Sequence, residues 1–235
     1  MIVAANFKTN KTRAQTRDYM DEVNGFIRSE NIKSEVMVFP PLTAHDNFGQ
    51  GATQGAQNAY YVENGAFTGE VGIDQLKEFG IKTILLGHSE RRHVLGESQD
   101  EIAKKFNYFK SLGYQIVYCI GEKLETREAG EAALMAYIQT QLVGIDMEYD
   151  NLVVAYEPVW AIGTGLVPSS ADISSIHAEL REKTSKPLLY GGSVKVSNMK
   201  EIVSIDNVDG DLVGGASLYA QNFCEMIKIA EDTSR

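Results

Sequence analysis

The chain has 235 residues, of which 43% are hydrophobic and 23% charged, so it is long enough to bury a sizeable core. Its formal net charge of -10 argues against nucleic acid and anionic membranes as partners, because no positive long-range field draws them in. A small anionic ligand is still compatible with this charge, since a few lysines and backbone N–H groups can make one pocket positive.

Short apolar, β-branched runs recur along the whole chain, each followed by turn residues and then by a helical pattern. Several runs are apolar throughout rather than alternating, as in parallel strands that are covered on both faces. Eight strands are predicted in chain order, at Ile2 to Asn6, Glu35 to Phe39, Gln54 to Asn58, Thr83 to Leu86, Gln115 to Ile120, Leu152 to Tyr156, Pro187 to Tyr190 and Asp211 to Val213.

The intervals between the strands carry helical signals. Apolar residues recur at helical spacing in two of them, namely Tyr19, Val23, Phe26 and Ile27, and later Ile102, Phe106 and Phe109. Ser98 with Glu101, and Ser169 with Asp172, predict capping boxes, in which the two side chains satisfy free N–H groups at a helix start. Residues 40–53 leave room only for a short helix around residues 42–48.

Eight strand-helix units follow one another without a linker, a charge run or a low-complexity stretch. This order predicts an α/β protein in which residues 1–235 form a single domain, a closed (β/α)8 barrel of eight parallel strands with outer helices, rather than a doubly wound sheet. The carboxyl ends of all strands in such a barrel open onto one face, where active sites of this fold lie.

Two sets of residues stand at the predicted carboxyl ends of the strands. The polar set consists of Asn6, Lys8, His88, Ser89, Glu90 and Glu157, and the glycine-rich set of Gly163, Gly191-Gly192-Ser193 and Gly214-Gly215. Glycines after strands seven and eight let backbone N–H groups approach a ligand closely, and this fold commonly holds phosphate there. The pattern therefore predicts a phosphorylated ligand.

A carboxylate, a histidine, a lysine and a phosphate site together suit proton abstraction next to a carbonyl group. Glu157 is predicted to take a carbon-bound proton and return it to the neighbouring carbon. His88 and Lys8 are predicted to stabilise the charge that develops on oxygen, with Asn6 as a further donor. Isomerisation of an aldose to a ketose is one reaction of this kind.

Six blocks resemble, in order and over the whole chain, those of the triosephosphate isomerase family: Asn6-Phe7-Lys8, Gly87 to Arg92, Cys119 to Glu122, Ala155 to Gly165, Tyr190 to Ser193 and Gly214 to Leu218. The resemblance implies interconversion of dihydroxyacetone phosphate and D-glyceraldehyde 3-phosphate through an enediolate, in glycolysis and gluconeogenesis. It implies no cofactor and no metal, and a small phosphorylated triose as the substrate.

The resemblance also implies a role for each matching residue. Glu157 corresponds to the catalytic base, His88 to the electrophile and Lys8 to its cationic partner, with Asn6 beside them. The substrate is then held by Asn6, Lys8, Gly163, Ser193, Gly214 and Gly215, and supported by Ser89, Glu90, Glu97 and Cys119. In this family the histidine is known to be neutral, with its pKa lowered by a helix N-terminus, and we expect the same of His88.

Two loops resemble the mobile lid and the dimer-forming loop of the family. The mobile lid corresponds to Pro158, Val159, Trp160, Ala161, Ile162, Gly163, Thr164 and Gly165. The protruding third loop, residues 64–70, corresponds to one that inserts into a twofold partner and contains Phe67, Thr68, Gly69 and Glu70. A homodimer follows as an expectation.

The remaining features are expected to be structural. Cys119 and Cys224 form no Cys-x-x-Cys pair and have no histidine nearby at ligand spacing, so neither a disulfide framework nor a zinc site is expected. His45, His93 and His177 lie away from the predicted strand ends. The amino-terminal residues lack a signal-peptide pattern and no apolar run is long enough for a membrane helix, so the cytoplasm is the expected location.

Two alternatives remain from the residues alone. One is another phosphate-binding barrel, such as a sugar phosphate epimerase or an aldolase, which needs paired acids with a metal or a Schiff-base lysine. The other is a catalytically silent barrel used for binding. Taken singly, Lys8, His88 and Glu157 are better explained as surface charges or core residues, and only their common barrel face favours catalysis.

Overall fold

Eight parallel strands pair in chain order and close into a barrel in the computed structural model, which describes residues 1–162, 166 and 168–234. The strands are β1 (Ile2–Asn6), β2 (Glu35–Phe39), β3 (Thr53–Ala56), β4 (Thr83–Leu86), β5 (Gln115–Ile120), β6 (Leu152–Tyr156), β7 (Leu188–Tyr190) and β8 (Gly210–Val213). Closure comes from the pairing of β1 with β8, in which Ile2 lies opposite Gly210 and Ala5 opposite Val213. The predicted (β/α)8 barrel is confirmed.

Helices surround the strands in the described part of the chain. They are α1 (Arg13–Ser29), α2 (Ile73–Glu78), α3 (Ser89–His93), α4 (Gln99–Ser111), α5 (Leu124–Glu128), α6 (Glu131–Gln141), α7 (Ser170–Arg181), α8 (Val196–Val203) and α9 (Ala220–Thr233). Short 3-10 turns occupy Leu42–Ala44, Val159–Ala161 and Gly215–Leu218. In the described residues, no helix combines the length and apolar character that crossing a membrane requires.

Two apolar layers hold the barrel together. The inner layer fills the barrel and consists of Ile2, Ala4, Met37, Phe39, Leu85, Val117, Cys119, Val153, Ala155, Leu189 and Leu212. The outer layer lies between strands and helices, where alternate strand residues such as Val3 and Ile84 meet helix residues such as Val23 and Phe106. Because strands such as β1, β4 and β6 are covered on both faces, they are apolar almost throughout, which explains the uninterrupted runs in the sequence.

Five of the eight strands have the predicted bounds and three differ at their ends. β3 runs one residue earlier at its start and ends at Ala56, so Gln57 is free to bond elsewhere. β7 begins after Pro187, which has no N–H to donate to the neighbouring strand. β8 begins at Gly210, whose φ of 150° suits glycine and whose added Cβ would lie 1.8 Å from the carbonyl oxygen of Ile2.

The two helices predicted from apolar spacing form as α1 and α4, and one of the two predicted capping boxes is complete. Ser169 and Asp172 form the reciprocal capping box that starts α7. The Ser98 hydroxyl accepts from Glu101 at the start of α4, but the Glu101 carboxylate turns to Tyr61 and Lys104 instead. The short helix predicted around residues 42–48 forms only as the 3-10 turn Leu42–Ala44, because the backbone becomes extended at His45, with φ -65° and ψ 140°. The Asp46 carboxylate beyond it pairs with Arg13 and Arg17 of α1.

One acidic side chain lies where the pattern predicts an apolar one. Asp211 on β8 is fully buried beside Val3 and Tyr190, and neither of its carboxylate oxygens has a hydrogen-bond partner among the described residues. Burial raises the pKa of Asp211 well above its ordinary value, because a charge without a partner is poorly solvated there. The carboxyl group is therefore favoured in its neutral form.

Candidate active site

Glu157 and His88 meet at the carboxyl end of the barrel. Glu157 directly follows β6, and His88 follows β4 by two residues and precedes α3. Nε2 of His88 lies 3.0 Å from Oε1 of Glu157, and the other carboxylate oxygen accepts the backbone N–H of Ser89 at 2.9 Å. Both side chains are buried, so this contact forms in a site with little water.

The hydrogen bonds of His88 define which nitrogen carries its proton. Nδ1 accepts the backbone N–H of Glu90 at 3.2 Å, in the first turn of α3. In the neutral ring the proton therefore lies on Nε2, from which it is donated to Glu157. The imidazole thus presents an N–H group to the cavity.

The expected lowering of the His88 pKa is wrong for this arrangement. Burial does lower the pKa of His88, but the charge of Glu157 and the hydrogen bond to it outweigh burial, and the net pKa is raised. The cause is the position of the Glu157 carboxylate, which lies directly on the imidazole. Moving that carboxylate onto a substrate would remove the effect that raises the pKa.

Glu157 is held in its basic form. Burial alone raises the pKa of Glu157, whereas His88, the Ser89 N–H and the charge of Lys8 lower it, and the net pKa is lowered. A lowered pKa means that the carboxylate is ionised at neutral pH and can accept a proton.

Lys8 reaches the same cavity from β1 through an unusual backbone conformation. Its φ is 53°, a left-handed value that is uncommon for a residue with a side chain. Two hydrogen bonds hold this conformation: the Lys8 N–H donates to Oδ1 of Asn6 at 3.0 Å, and the Lys8 carbonyl accepts from Nε2 of Gln57 at 2.8 Å. Nζ of Lys8 lies 2.6 Å from Oε1 of Glu90.

Gln57 is a site residue that sequence reasoning missed. Its amide also donates to the carbonyl of Phe39 at 2.9 Å, so it joins the ends of β1 and β2. The predicted third strand included Gln57, and a position inside a strand did not suggest a role in the site. The available signal was a polar residue near the carboxyl end of a strand, the same signal that identified Asn6.

A cavity of about 410 Å³ joins the predicted residues. It is lined by Asn6, Lys8, His88, Glu157, Ile162, Gly191, Gly192, Ser193, Val194, Lys195, Leu212, Gly214, Gly215 and Ala216. The structure thus brings together the described glycines and four members of the polar set, Asn6, Lys8, His88 and Glu157, whereas Ser89 and Glu90 are not on this wall and Gly163 lies outside the described residues. Among the described groups on its wall are the Glu157 carboxylate, the His88 imidazole, two lysines, Lys8 and Lys195, and the glycine-rich ends of β7 and β8.

Close packing explains two glycines beside the base. A Cβ on Gly191 would lie 2.9 Å from Cγ of Glu157, and a Cβ on Gly121 would lie 1.7 Å from its carbonyl oxygen. Gly214 borders Lys8, whose Cε would be 3.5 Å from an added Cβ. Any side chain at 121 or 191 would therefore displace the base.

The described part of the predicted lid, Pro158 to Ile162, contains the 3-10 turn Val159–Ala161. Nε1 of Trp160 donates to Oε1 of Glu122 at 2.9 Å, and the hydroxyl of Tyr156 donates to the same oxygen at 3.0 Å. The hydroxyl of Ser193, predicted to bind phosphate, donates to the carbonyl of Ala161. Gly163, Thr164 and Gly165 lie outside the described residues.

The predicted supporting residues occupy different places. Ser89 and Glu90 contact Glu157 and Lys8 as described above. Glu97 is remote from that contact, and its carboxylate pairs with Arg91 at 2.8 Å and with Lys105. Cys119 points into the barrel, where burial first and the charge of Glu157 second raise its thiol pKa, which disfavours a thiolate nucleophile.

A second cavity of about 280 Å³ lies on the other side of Lys8 and His88. Its wall includes Leu42, Gly69, Glu70 and Leu95, and thus part of the predicted dimer loop. Leu42 and Leu95 on its wall are exposed, and Phe67 and Val94, which are exposed too, lie within two residues of the wall residues Gly69 and Leu95. Phe67 packs on the ring of Tyr60 at a centroid distance of 4.7 Å, and Thr68 next to it is exposed.

Over residues 1–162, 166 and 168–234, no group of three or more His, Cys, Asp or Glu side chains could hold a metal ion.

Similarity to known proteins covers the whole chain. Residues 1–230 match the protein family described as triosephosphate isomerase. The chain is similar to the triosephosphate isomerase of Sulfurimonas denitrificans, with 55% identity over 235 residues that cover 100% of this chain and 98% of the relative. It is 57% identical over 227 residues to that of a Sulfurovum species (97% and 99% covered), and 52% identical over 232 residues to that of a Nitratiruptor species (99% of each).

Proposed function

The chain belongs to the triosephosphate isomerase family. We propose that it interconverts dihydroxyacetone phosphate and D-glyceraldehyde 3-phosphate, and that Glu157, His88 and Lys8 catalyse this reaction. The reaction is an aldose-ketose isomerisation by an intramolecular oxidoreductase and belongs to glycolysis and gluconeogenesis. One observation carries the assignment of residues: the three side chains line one cavity together with the glycine-rich ends of β7 and β8.

The base is Glu157. Its ionised carboxylate takes a proton from the carbon next to the carbonyl, which leaves an enediolate, and then returns the proton to the neighbouring carbon. To reach that carbon, the carboxylate exchanges its contacts with His88 and the Ser89 N–H for the substrate. The close packing of Gly121 and Gly191 on Glu157 supports a defined backbone position from which this movement starts.

His88 and Lys8 stabilise the enediolate oxygens. Once Glu157 has moved to the substrate, the Nε2–H of His88 is free to donate to the oxygen that gains charge. Lys8 adds a positive charge at the same wall, and Asn6 both lines the cavity and holds the Lys8 backbone. Donors fixed in advance stabilise the developing charge without reorganising.

Phosphate binds opposite the base. Gly214 and Gly215 begin the 3-10 turn after β8, and their backbone N–H groups, with those near Ser193, are the anion-binding groups in this proposal. Gly163 is a further phosphate contact expected from the family. The segment from Pro158 to Gly165 is the lid that closes over the substrate and excludes water.

The enzyme is a homodimer in this proposal. The exposed apolar residues around the second cavity, including Val94 and Leu95, are better covered by a second copy of the chain than left in water. Because this cavity shares Lys8 and His88 with the first, a loop of the second copy that contains residues 67–70 would support the catalytic side chains.

We also propose a domain organisation and a cellular location for the protein. We infer one domain over residues 1–235, since β8 closes on β1 and no linker separates the strand-helix units in the part of the chain that the structure describes. The enzyme acts in the cytoplasm, a reducing compartment that is compatible with its free cysteines Cys119 and Cys224.

Isomerisation of glyceraldehyde 3-phosphate in D2O, followed with a coupled dehydrogenase and by mass spectrometry, tests the reaction. We expect rapid formation of dihydroxyacetone phosphate, of which a part carries deuterium on carbon because the proton held by Glu157 exchanges with solvent before it is returned. An epimerase or an aldolase would give other products, and a silent barrel would give none. Either result would overturn the proposed function.

A further inference from the structure

A buried hydrogen-bond network behind the active site connects the backbones next to both catalytic residues. Its members include Arg92 of α3, Tyr118 of β5 and Gln141 at the end of α6, and Gln99 of α4 bonds both Arg92 and Tyr118. None of them lines the catalytic cavity, and the proposed reaction uses none of them. We propose that Gln141, Tyr118 and Arg92 are positioning residues that fix the placement of Glu157 relative to His88.

The first end of the network holds the backbone under Glu157. The Gln141 amide bonds both sides of Gly121: Oε1 accepts the Gly121 N–H at 2.9 Å, and Nε2 donates to the Gly121 carbonyl at 2.8 Å. Gly121 packs directly on the carbonyl of Glu157, and the N–H of Glu157 donates to the carbonyl of Ile120 at 2.7 Å. A shift of Gly121 therefore shifts the base.

The middle of the network joins Gln141 to Arg92. The Tyr118 hydroxyl donates its single proton to the backbone carbonyl of Gln141, which is among the last carbonyls of α6 that lack a helical partner. The same hydroxyl accepts from Nη2 of Arg92 at 2.9 Å. Donor and acceptor roles are thus matched through the chain of bonds, which favours one arrangement of the three side chains.

The other end holds the backbone before His88. Nε of Arg92 donates to the carbonyl of Gly87 at 2.7 Å, and Nη2 also approaches the carbonyl of Cys119 at 3.3 Å. Gly87 has a φ of 73°, and an added Cβ would lie 2.6 Å from the guanidinium. The guanidinium therefore fills the space beside Gly87 and fixes the turn that presents His88.

The inference rests on the proposed function, since a positioning role has meaning only if Glu157 and His88 catalyse. Catalytic geometry tolerates little displacement, and a misplacement of about 1 Å can lower the rate by about 100-fold. Gln141→Leu removes both bonds to Gly121 while keeping an apolar side chain of similar length. We expect its kcat to fall by about 10-fold to 100-fold, with KM changed by less than about threefold.

Gln115→Leu is the matched control. Gln115 is also a glutamine with two side-chain hydrogen bonds, to Thr83 and Glu35, but it lies at the amino end of β5, at the opposite mouth of the barrel. We expect this variant to lose stability while its kcat stays near that of the wild type. Equal losses of kcat in the two variants would assign Gln141 a merely structural role and overturn the inference.

Gln141→Glu gives a readout that a loss of stability would not produce. When protonated, the glutamic acid can accept from the Gly121 N–H and donate to its carbonyl, whereas the carboxylate can only accept. Burial raises the pKa of such a group into the neutral range, so we expect the kcat of this variant relative to wild type to fall as pH rises from about 6 to about 9.

If Gln141→Leu fails to fold, Tyr118→Phe tests the same positioning role, because this substitution removes only the hydroxyl group. We expect a fall in kcat of about threefold to tenfold at unchanged KM. The inference would be overturned if folded Gln141→Leu kept the wild-type kcat. It would also be overturned if Tyr118→Phe kept the wild-type kcat and the kcat of Gln141→Glu, relative to wild type, did not change with pH. Failure of the proposed function would appear separately, as an absence of turnover in the wild-type protein.

Discussion

Nζ of Lys8 lies 2.6 Å from Oε1 of Glu90, so the cation at the catalytic cavity is held by an acid on α3. The other oxygen of Glu90 lies 3.6 Å from Nδ1 of His88. This carboxylate therefore borders both groups that we propose to stabilise the enediolate. Glu90 orients Lys8 through this ion pair but donates no proton to Nδ1 of His88, which accepts the Glu90 backbone N–H instead. The Glu90 side chain lines the second cavity and not the catalytic one, so it does not oppose the anionic substrate directly.

Replacing Lys8 with methionine should remove the charge at the enediolate while keeping the side-chain length. We expect kcat/KM to fall by about 100-fold to 1,000-fold, because a fixed electrostatic donor is lost from a buried site. Lys11→Met is the control, since Nζ of Lys11 lies over the rings of Phe7 and Tyr19 and away from the cavity. Similar kinetics in the two variants would remove Lys8 from the mechanism.

Trp160 should report on lid closure, because it is the one tryptophan in the sequence and its indole N–H is bonded to Glu122. Closure would change that bond and the surroundings of the ring. We expect a phosphorylated enediolate mimic to alter the fluorescence of Trp160 in a saturable way, while the unphosphorylated analogue leaves it unchanged. Constant emission at saturating mimic would contradict the lid assignment.

Leu95→Glu should convert a dimer into monomers, because it places a charge in the exposed apolar surface around the second cavity. Leu95 is 66% exposed, and Val143, at 62% exposed but outside that cavity wall, provides the matched control Val143→Glu. Sedimentation should show half the wild-type mass for the first variant only, with its circular dichroism retained. A monomeric wild-type protein would refute the dimer.

His177 should make folding sensitive to acid. Burial lowers its pKa to about 4 from 6.5, and its Nδ1 bonds the carbonyl of Asn207. Between these values the unfolded chain binds a proton that the folded chain does not, so stability falls as pH drops through this range. His177→Asn keeps a donor and does not titrate. In urea unfolding, the free energy of unfolding of the wild type should fall by about 3 kcal/mol more than that of this variant between about pH 6.5 and about pH 4. Parallel curves would contradict the prediction.

Much of the fold follows from local sequence patterns. Most strands are largely apolar and are followed by segments with helical spacing, so the bounds of five of them could be predicted from the sequence. Asn6, Lys8, His88 and Glu157 could be grouped because parallel strands of a barrel bring their carboxyl ends to one face. The cavity that joins them agrees with that rule.

Other features depend on contacts that no local pattern encodes. The raised pKa of His88 follows from the side-chain conformation of Glu157, which lies on the imidazole. Gln57 acquires its bond to Lys8 only because β3 ends one residue before it. The bonds of Gln141 to Gly121 join a helix end to a loop 20 residues away, and the buried Asp211 interrupts the apolar pattern itself.

The kinetics of Glu157→Gln test the central claim most directly. Glutamine has nearly the same shape and can still accept the Ser89 N–H, but it cannot take a proton from carbon. We predict that kcat falls by about 100-fold to 10,000-fold, while the Kd of a phosphorylated enediolate mimic changes far less. Turnover close to that of the wild type would show that another group moves the proton.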